Sequence, residues 1–148
     1  MVPDLRIAVC RVGSVVVPLP RYQTAGAAGM DLCAAITAPL IIVPLGRAKI
    51  KTGIAVAIPE KYEGQVRPRS GLADKHGITV LNTPGTIDSD YRGEVMVVLV
   101  NLSQVPATIA PLDRIAQLVI LPVARAELQW VDKLPPTRRG TGGYGSTG

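Results

Sequence analysis

The chain has 148 residues, 47% of them apolar, a net charge of +5, no Phe and a single Trp. That length suits one domain with a sizeable core, which Val, Ile, Leu and Ala must fill. The longest apolar run, 95–100, falls far short of the ~18–20 residues that span a bilayer, no charged-then-apolar leader opens the chain, and the basic residues are scattered without interleaved aromatics. No membrane span, secretory signal or nucleic-acid surface is therefore expected, and the expected compartment is the cytoplasm.

Thirteen Pro and fifteen Gly interrupt the chain at short intervals and leave little room for a long helix. Leu5, Ile7 and Val9 alternate with Arg6, Ala8 and Cys10, the two-residue period of a strand. Short β-branched stretches follow at 15–17, 40–43, 50–58, 78–81, 95–102 and 115–121. Strands this short, separated by frequent turn signals, predict an all-β fold, a jelly-roll-like barrel or sandwich. One short helical turn is expected, opening near Ser70 as its N-cap and running to Gly77. Segment 123–131 reads as a strand or a short helix. The Leu-Pro-Pro-Thr run at 134–137 reads as a stiff spacer. The expected organisation is one β domain over 1–134 and a flexible Gly-rich tail over 135–148. Cys10 and Cys33 are the only cysteines and His76 the only histidine. None has a partner at metal-ligand spacing, which argues against a structural zinc site and a His-based triad. Two free, buried thiols are expected.

Eleven of the sixteen basic residues are Arg, which favours forked recognition of phosphate or carboxylate. A small polyanion suits these scattered charges better than a polymer does. Five stretches carry chemistry. Residues 25–32 (AGAAGMDL) form a small-residue turn that delivers the Asp31 carboxylate to the start of a strand. Residues 67–73 (RPRSGLA) join a strand to the helical turn, and an Arg followed by Ser-Gly at a helix start favours an anion. Residues 82–94 lie between two apolar strands and read as a hairpin. There the Asn82 amide offers a donor and an acceptor to an imide edge such as that of uracil. Asp88 and Asp90 share a face if this segment is extended. In DRIAQL at 113–118, Arg114 and Gln117 are expected on opposite faces of a strand. The last nine residues, 140–148, are five-ninths glycine and hold Tyr144, Ser146 and Thr147, just after Arg138 and Arg139. Bare Gly N–H groups, hydroxyls and guanidiniums suit a phosphate clamp; the other reading is a disordered terminus.

These five stretches, in this order, resemble the five motifs of the trimeric deoxyuridine triphosphatases (dUTPases): AGAAGMDL at 25–32, RPRSGLA at 67–73, GTIDSDYRGE at 85–94, DRIAQL at 113–118 and RGTGGYGSTG at 139–148. The resemblance spans residues 25–148. It departs from the family at Tyr144, where Phe is more common, and at Met30, where an aromatic is frequent; both keep the bulk.

The resemblance implies a jelly-roll homotrimer with sites at subunit junctions. It implies hydrolysis of dUTP to dUMP and pyrophosphate, which limits uracil in DNA and supplies dUMP for thymidylate synthesis. It casts Asp88 as the carboxylate that activates the water attacking the α-phosphorus, and Tyr91 as the ring packed on the deoxyribose. Asn82, Thr86, Ile87 and Met96 correspond to uracil-reading positions, and Arg69, Ser70, Gly71 and Gln117 to phosphate-contacting ones. Arg139, Ser146 and Thr147 would grip the distal phosphates, with Tyr144 stacked over the base. Mg2+ is the implied cofactor. Since no stretch offers a carboxylate cage, the triphosphate and waters would hold it, with Asp31 as an outer-shell partner. Two rivals share the fold: a dCTP deaminase, whose pattern the 85–94 stretch and the tail match less well, and a non-catalytic trimeric nucleotide-sensing module.

Overall fold

The computed structural model describes residues 5–145. In chain order the elements are β1 (Ala8–Arg11), β2 (Met30–Cys33), β3 (Leu40–Ile42), β4 (Arg47–Ala57), β5 (Tyr62–Arg67), α1 (Ser70–His76), β6 (Ile78–Val80), β7 (Gly85–Ile87), β8 (Glu94–Asn101), β9 (Ala107–Ile109) and β10 (Arg114–Pro122). They build two four-stranded sheets, ordered β1-β4-β8-β6 and β2-β10-β5-β7, with β3 and β9 paired separately. Every pairing is antiparallel. This is the jelly-roll-like sandwich that the spacing of the turn residues predicts.

Alternation decides which side chains face inward. Along β8, Val95, Val97 and Leu99 are buried. Along β4, Ile50, Thr52, Ile54 and Val56 are buried too. The buried hydrophobic set contains only Val, Ile, Leu and Ala, while Trp130 stands fully exposed. Between Lys51 and Ala55 the β4–β8 register slips, and Gly53 sits there at φ +71. A Cβ at Gly53 would be strained by that angle and would lie 3.1 Å from the Ala35 Cβ, so the bulge needs glycine.

Several expectations need correction. Residues 15–17 form no strand; Val17 instead packs under the Gly53 bulge as a single buried plug. Strand β9 escaped the sequence reading because three residues ending at Ile109 show no clear period. Ser70 is the first residue of α1 and not its cap: Arg69 holds the N-cap position in extended geometry, and Gly77 closes the helix in the left-handed region. Segment 123–131 has no regular structure and is exposed throughout. The thiols are free, but Cys10 is exposed and Cys33 only half-buried.

Residues 82–94 are more than a hairpin. Strands β6 and β8 do pair with each other, Ile78 opposite Asn101. Between them the chain leaves that sheet, adds β7 to the edge of the other beside β5, and returns.

One buried polar side chain ties the loops at the far end of β8. Asn101 is fully buried, donates to the carbonyls of Ile42 and Val105 (2.8 Å each), and accepts from Ser103 N (2.9 Å) and Ser103 Oγ (2.8 Å). Its backbone also exchanges hydrogen bonds with Leu45 and Gly46. All four hydrogen-bonding positions of the amide are used. Asn101→Ala takes the side-chain partner from the Ile42 carbonyl and from Ser103 N, while the Val105 carbonyl keeps Ser103 Oγ at 2.9 Å. It is expected to cost about 2 to 3 kcal/mol, read as a lower urea midpoint with unchanged slope.

Candidate active site

Asp31 on β2 faces Gln117 on β10, and both oxygens of its carboxylate are taken by guanidiniums. Arg69 Nε donates to Oδ1 at 2.8 Å and Arg114 Nη1 to Oδ2 at 3.3 Å. Arg69 Nη1 also donates to the Arg114 carbonyl at 3.2 Å, closing a three-residue cluster. Asp31 is the least exposed of the three, its side chain 17% exposed against 27% for Arg69 and 55% for Arg114. Two cations on one anion leave a net charge of +1 that faces solvent, which suits an anionic ligand.

Arg114 was missed because strict alternation puts it on the face opposite Gln117. A bulge between Arg114 and Ala116 adds one residue to β10, so Arg114 pairs with Cys33 while Gln117 pairs with Asp31. Ile115 and Ala116 are both fully buried in consequence, and Arg114 returns to the side of Gln117. Two adjacent apolar residues between Arg and Gln were the available signal. Gln117 donates to the Pro68 carbonyl at 2.9 Å, and its side-chain Oε1 lies where a Cβ on Gly29 would be. It thereby joins the 25–32 turn to the loop that leads into α1. Ser70 and Gly71 open α1 and are exposed, where the first N–H groups of a helix have no acceptor within it.

A cavity of about 590 Å3 borders this cluster, lined by Arg69, Arg114, Lys75 and His76 among apolar side chains from α1 and β9. A second, of about 190 Å3, is lined by Asn82, Thr86, Ile87, Asp88, Tyr91 and Met96, together with Val66, Gly85 and Val95. Six of the expected site residues thus converge on one base-sized hollow. Asp88 and Asp90 do not share a face: after Ile87 the chain turns, Tyr91 N donating to the Asp88 carbonyl at 3.2 Å, and only Asp88 lines the hollow. The two cavities have no lining residue in common.

Among the described residues, the tail over 135–145 lines neither cavity. Arg139 donates through Nε to the Gly142 carbonyl at 2.8 Å in a local turn, and Tyr144 is fully exposed. Ser146 and Thr147 lie outside the described residues. Among the described residues no group of three or more His, Cys, Asp or Glu side chains is placed to hold a metal. Each Asp31 oxygen accepts one N–H and keeps a further acceptor position. The donor set therefore fits a cation that arrives with its ligand's phosphates and waters, and not a protein-built cage.

A base-sized hollow and a cationic patch on one β sandwich place the chain among nucleotide-handling jelly rolls. The dUTPase family profile matches residues 16–148, and the chain belongs to that family. It is 58% identical over 144 residues to a deoxyuridine 5'-triphosphate nucleotidohydrolase of Anaeromyxobacter sp. (strain Fw109-5), covering 96% of this chain and 97% of that protein. Among solved structures it is similar to the Staphylococcus bacteriophage 80alpha dUTPase with dUpNHpp (27% identity, TM-score 0.87, 97% of this chain and 98% of the other). It is also similar to the dUTPase of phage phi11 of S. aureus (25% identity, TM-score 0.79, 88% and 98%).

The site also sets the chemistry of Cys33. Burial pushes its thiol above the usual range, and the Asp31 charge adds to the shift while Arg114 and Arg69 oppose it. A raised value keeps the neutral thiol at neutral pH, and the thiolate is the nucleophile. Cys10, exposed on β1, is therefore expected to alkylate first at pH 7.5. Peptide mapping after a brief pulse of iodoacetamide checks the order.

Proposed function

We infer that this chain hydrolyses dUTP to dUMP and pyrophosphate, and that the hollow between Asn82 and Met96 takes the uracil and deoxyribose. The observation that carries the reading is the convergence of Asn82, Thr86, Ile87, Asp88, Tyr91 and Met96 on one base-sized cavity in a member of the dUTPase family. Neither the deaminase nor the non-catalytic module is favoured by the family match or by the 58% identical relative.

The mechanism follows from what each side chain offers. Asp88 orients a water and takes its proton as the oxygen attacks the α-phosphorus. The bond from that phosphorus to its bridging oxygen breaks, and pyrophosphate leaves. Asn82 presents donor and acceptor to the imide edge of uracil, with Thr86, Ile87 and Met96 around it. Tyr91 packs on the deoxyribose and occupies the space of a 2′-hydroxyl. Arg69, held in place by Asp31, contacts the phosphates with Ser70, Gly71 and Gln117. When bound, Mg2+ offsets charge on the triphosphate oxygens; Asp31 would hold its waters as an outer-shell partner.

We also propose the homotrimer. An apolar groove of about 770 Å3, lined in part by Leu5, Ile7, Val9 and Ile120, stands open on the single chain. Leu128, Trp130 and Leu134 project into solvent after β10. Apolar surface of this kind marks a contact between chains. The tail over 135–148 would then clamp the triphosphate at a subunit junction through Arg139, Ser146 and Thr147, with Tyr144 over the base. Two unpaired cysteines suit the cytoplasm.

Pyrophosphate release from dUTP tests the reading, with ammonia release from dCTP as the contrary result. Asp88→Asn keeps the side chain's shape and removes the proton acceptor. Its single-turnover rate is expected to fall about 10²- to 10⁴-fold, and a larger loss in Asp90→Asn overturns the assignment. Truncation after Pro136 is expected to leave the melting temperature within a degree or so, because the described tail residues bury almost nothing. Activity should drop about a hundredfold or more, as orientation of the triphosphate is lost. Differential scanning calorimetry and steady-state kinetics on the same preparation separate the two effects.

A further inference from the structure

Tyr91 reaches its position by an arrangement that the motif alone does not reveal. Its hydroxyl donates to the Glu94 carbonyl at 3.0 Å, three residues ahead, so the ring folds back over the chain between them. Directly beneath it is Gly93. A Cβ built on Gly93 would lie 2.6 Å from the Tyr91 Cζ and 3.0 Å from its Cε2, and closer still to the hydroxyl oxygen. The φ angle of Gly93 lies outside the left-handed region, so a left-handed backbone is not what calls for glycine there. What forbids a side chain at 93 is the ring.

The anchor for that ring is itself fixed. Glu94 begins β8 opposite Ala55, and its Oε1 accepts from Gly53 N at 2.9 Å, inside the β4 bulge. Arg92 Nη1 donates to the carbonyls of Ser89 (2.7 Å) and Tyr91 (3.0 Å), closing the turn that follows Asp88. Tyr91 is thus held at both ends, by its hydroxyl and by its backbone, and it lines the base-sized hollow.

We propose that Gly93 and the Glu94 carbonyl are specificity-determining, acting through Tyr91: the bare Cα and the hydroxyl tether together set how close the ring stands to the sugar, and so how strongly a ribonucleotide is rejected. This rests on the reading of Tyr91 as the sugar-packing ring. A methyl group at 93 lifts the ring off the backbone and breaks the tether. Loss of the hydroxyl alone lets the ring swing about its side-chain torsions. Each change turns a fixed wall into a mobile one, which weakens rejection of a 2′-hydroxyl without touching the water-activating carboxylate.

The test is the ratio of kcat/KM for dUTP to that for UTP, measured for wild type, Gly93→Ala, Tyr91→Phe and Tyr91→Ala. A general loss of folding or of rate lowers both constants together and leaves the ratio unmoved. The proposal expects Gly93→Ala to lower the ratio roughly tenfold, with Tyr91→Phe lowering it less and Tyr91→Ala most. If Tyr91→Ala lowers the ratio while Gly93→Ala or Tyr91→Phe leaves it at the wild-type value, the proposal is overturned. If Tyr91→Ala also leaves it unchanged, the sugar-packing reading of Tyr91 is what fails, and the proposal with it. Should Gly93→Ala not fold, Tyr91→Phe decides alone, since it alters no backbone and adds no atom.

Discussion

The pairing of β7 with β5 is the contact on which the nucleotide site depends. Residues 81–93 leave one sheet and return to it, and three residue pairs (Gly64 with Ile87, Gln65 with Thr86, Val66 with Gly85) fasten the excursion to the opposite sheet. The hollow lies where the chain crosses, so its lining comes from both sheets: Val66 from one, Val95 and Met96 from the other. Without that short strand the segment would be a long loop, and its Asp and Tyr would have no fixed relation to a base. Gly85 and Ile87 are buried at this junction, which ties the position of Asp88 to core packing.

A second constraint governs the phosphate side. Arginine side chains are long and lose much rotamer freedom when ordered. Asp31 bears part of that ordering, since it holds both Arg69 and Arg114. Its geometry as a guanidinium holder is explicit, and any contact to a metal would be additional to it. A carboxylate in such a place serves by arranging cations, and the charge it removes leaves the patch less repulsive to assemble.

Much of this was legible in the sequence, and the failures have definite causes. Short β-branched stretches located β4, β8 and β10, because Val and Ile recur along all three. The motifs located the hollow, since its residues are close in sequence and a turn keeps them together. The β10 bulge was not legible by counting in twos, and with it went Arg114. Nor was the crossing of 81–93 between sheets, because an apolar strand before and after a turn-rich stretch reads the same whether the stretch is a hairpin or a detour. The role of Ser70 was misjudged for a simpler reason: a good capping residue was present, yet the extended backbone one position earlier made Arg69 the cap.

The aliphatic core has a consequence for how the molecule reports on itself. Its single indole lies on the segment after β10, in full contact with water, and none of the four tyrosines is fully buried. Ultraviolet emission therefore follows the carboxy-terminal segment and says little about the packed interior. In the separate chain, melting of the sandwich is close to silent by this optical channel, whereas covering Trp130 against a neighbouring chain changes its colour. The chain carries, in effect, a built-in solvatochromic label on the exposed stretch after β10.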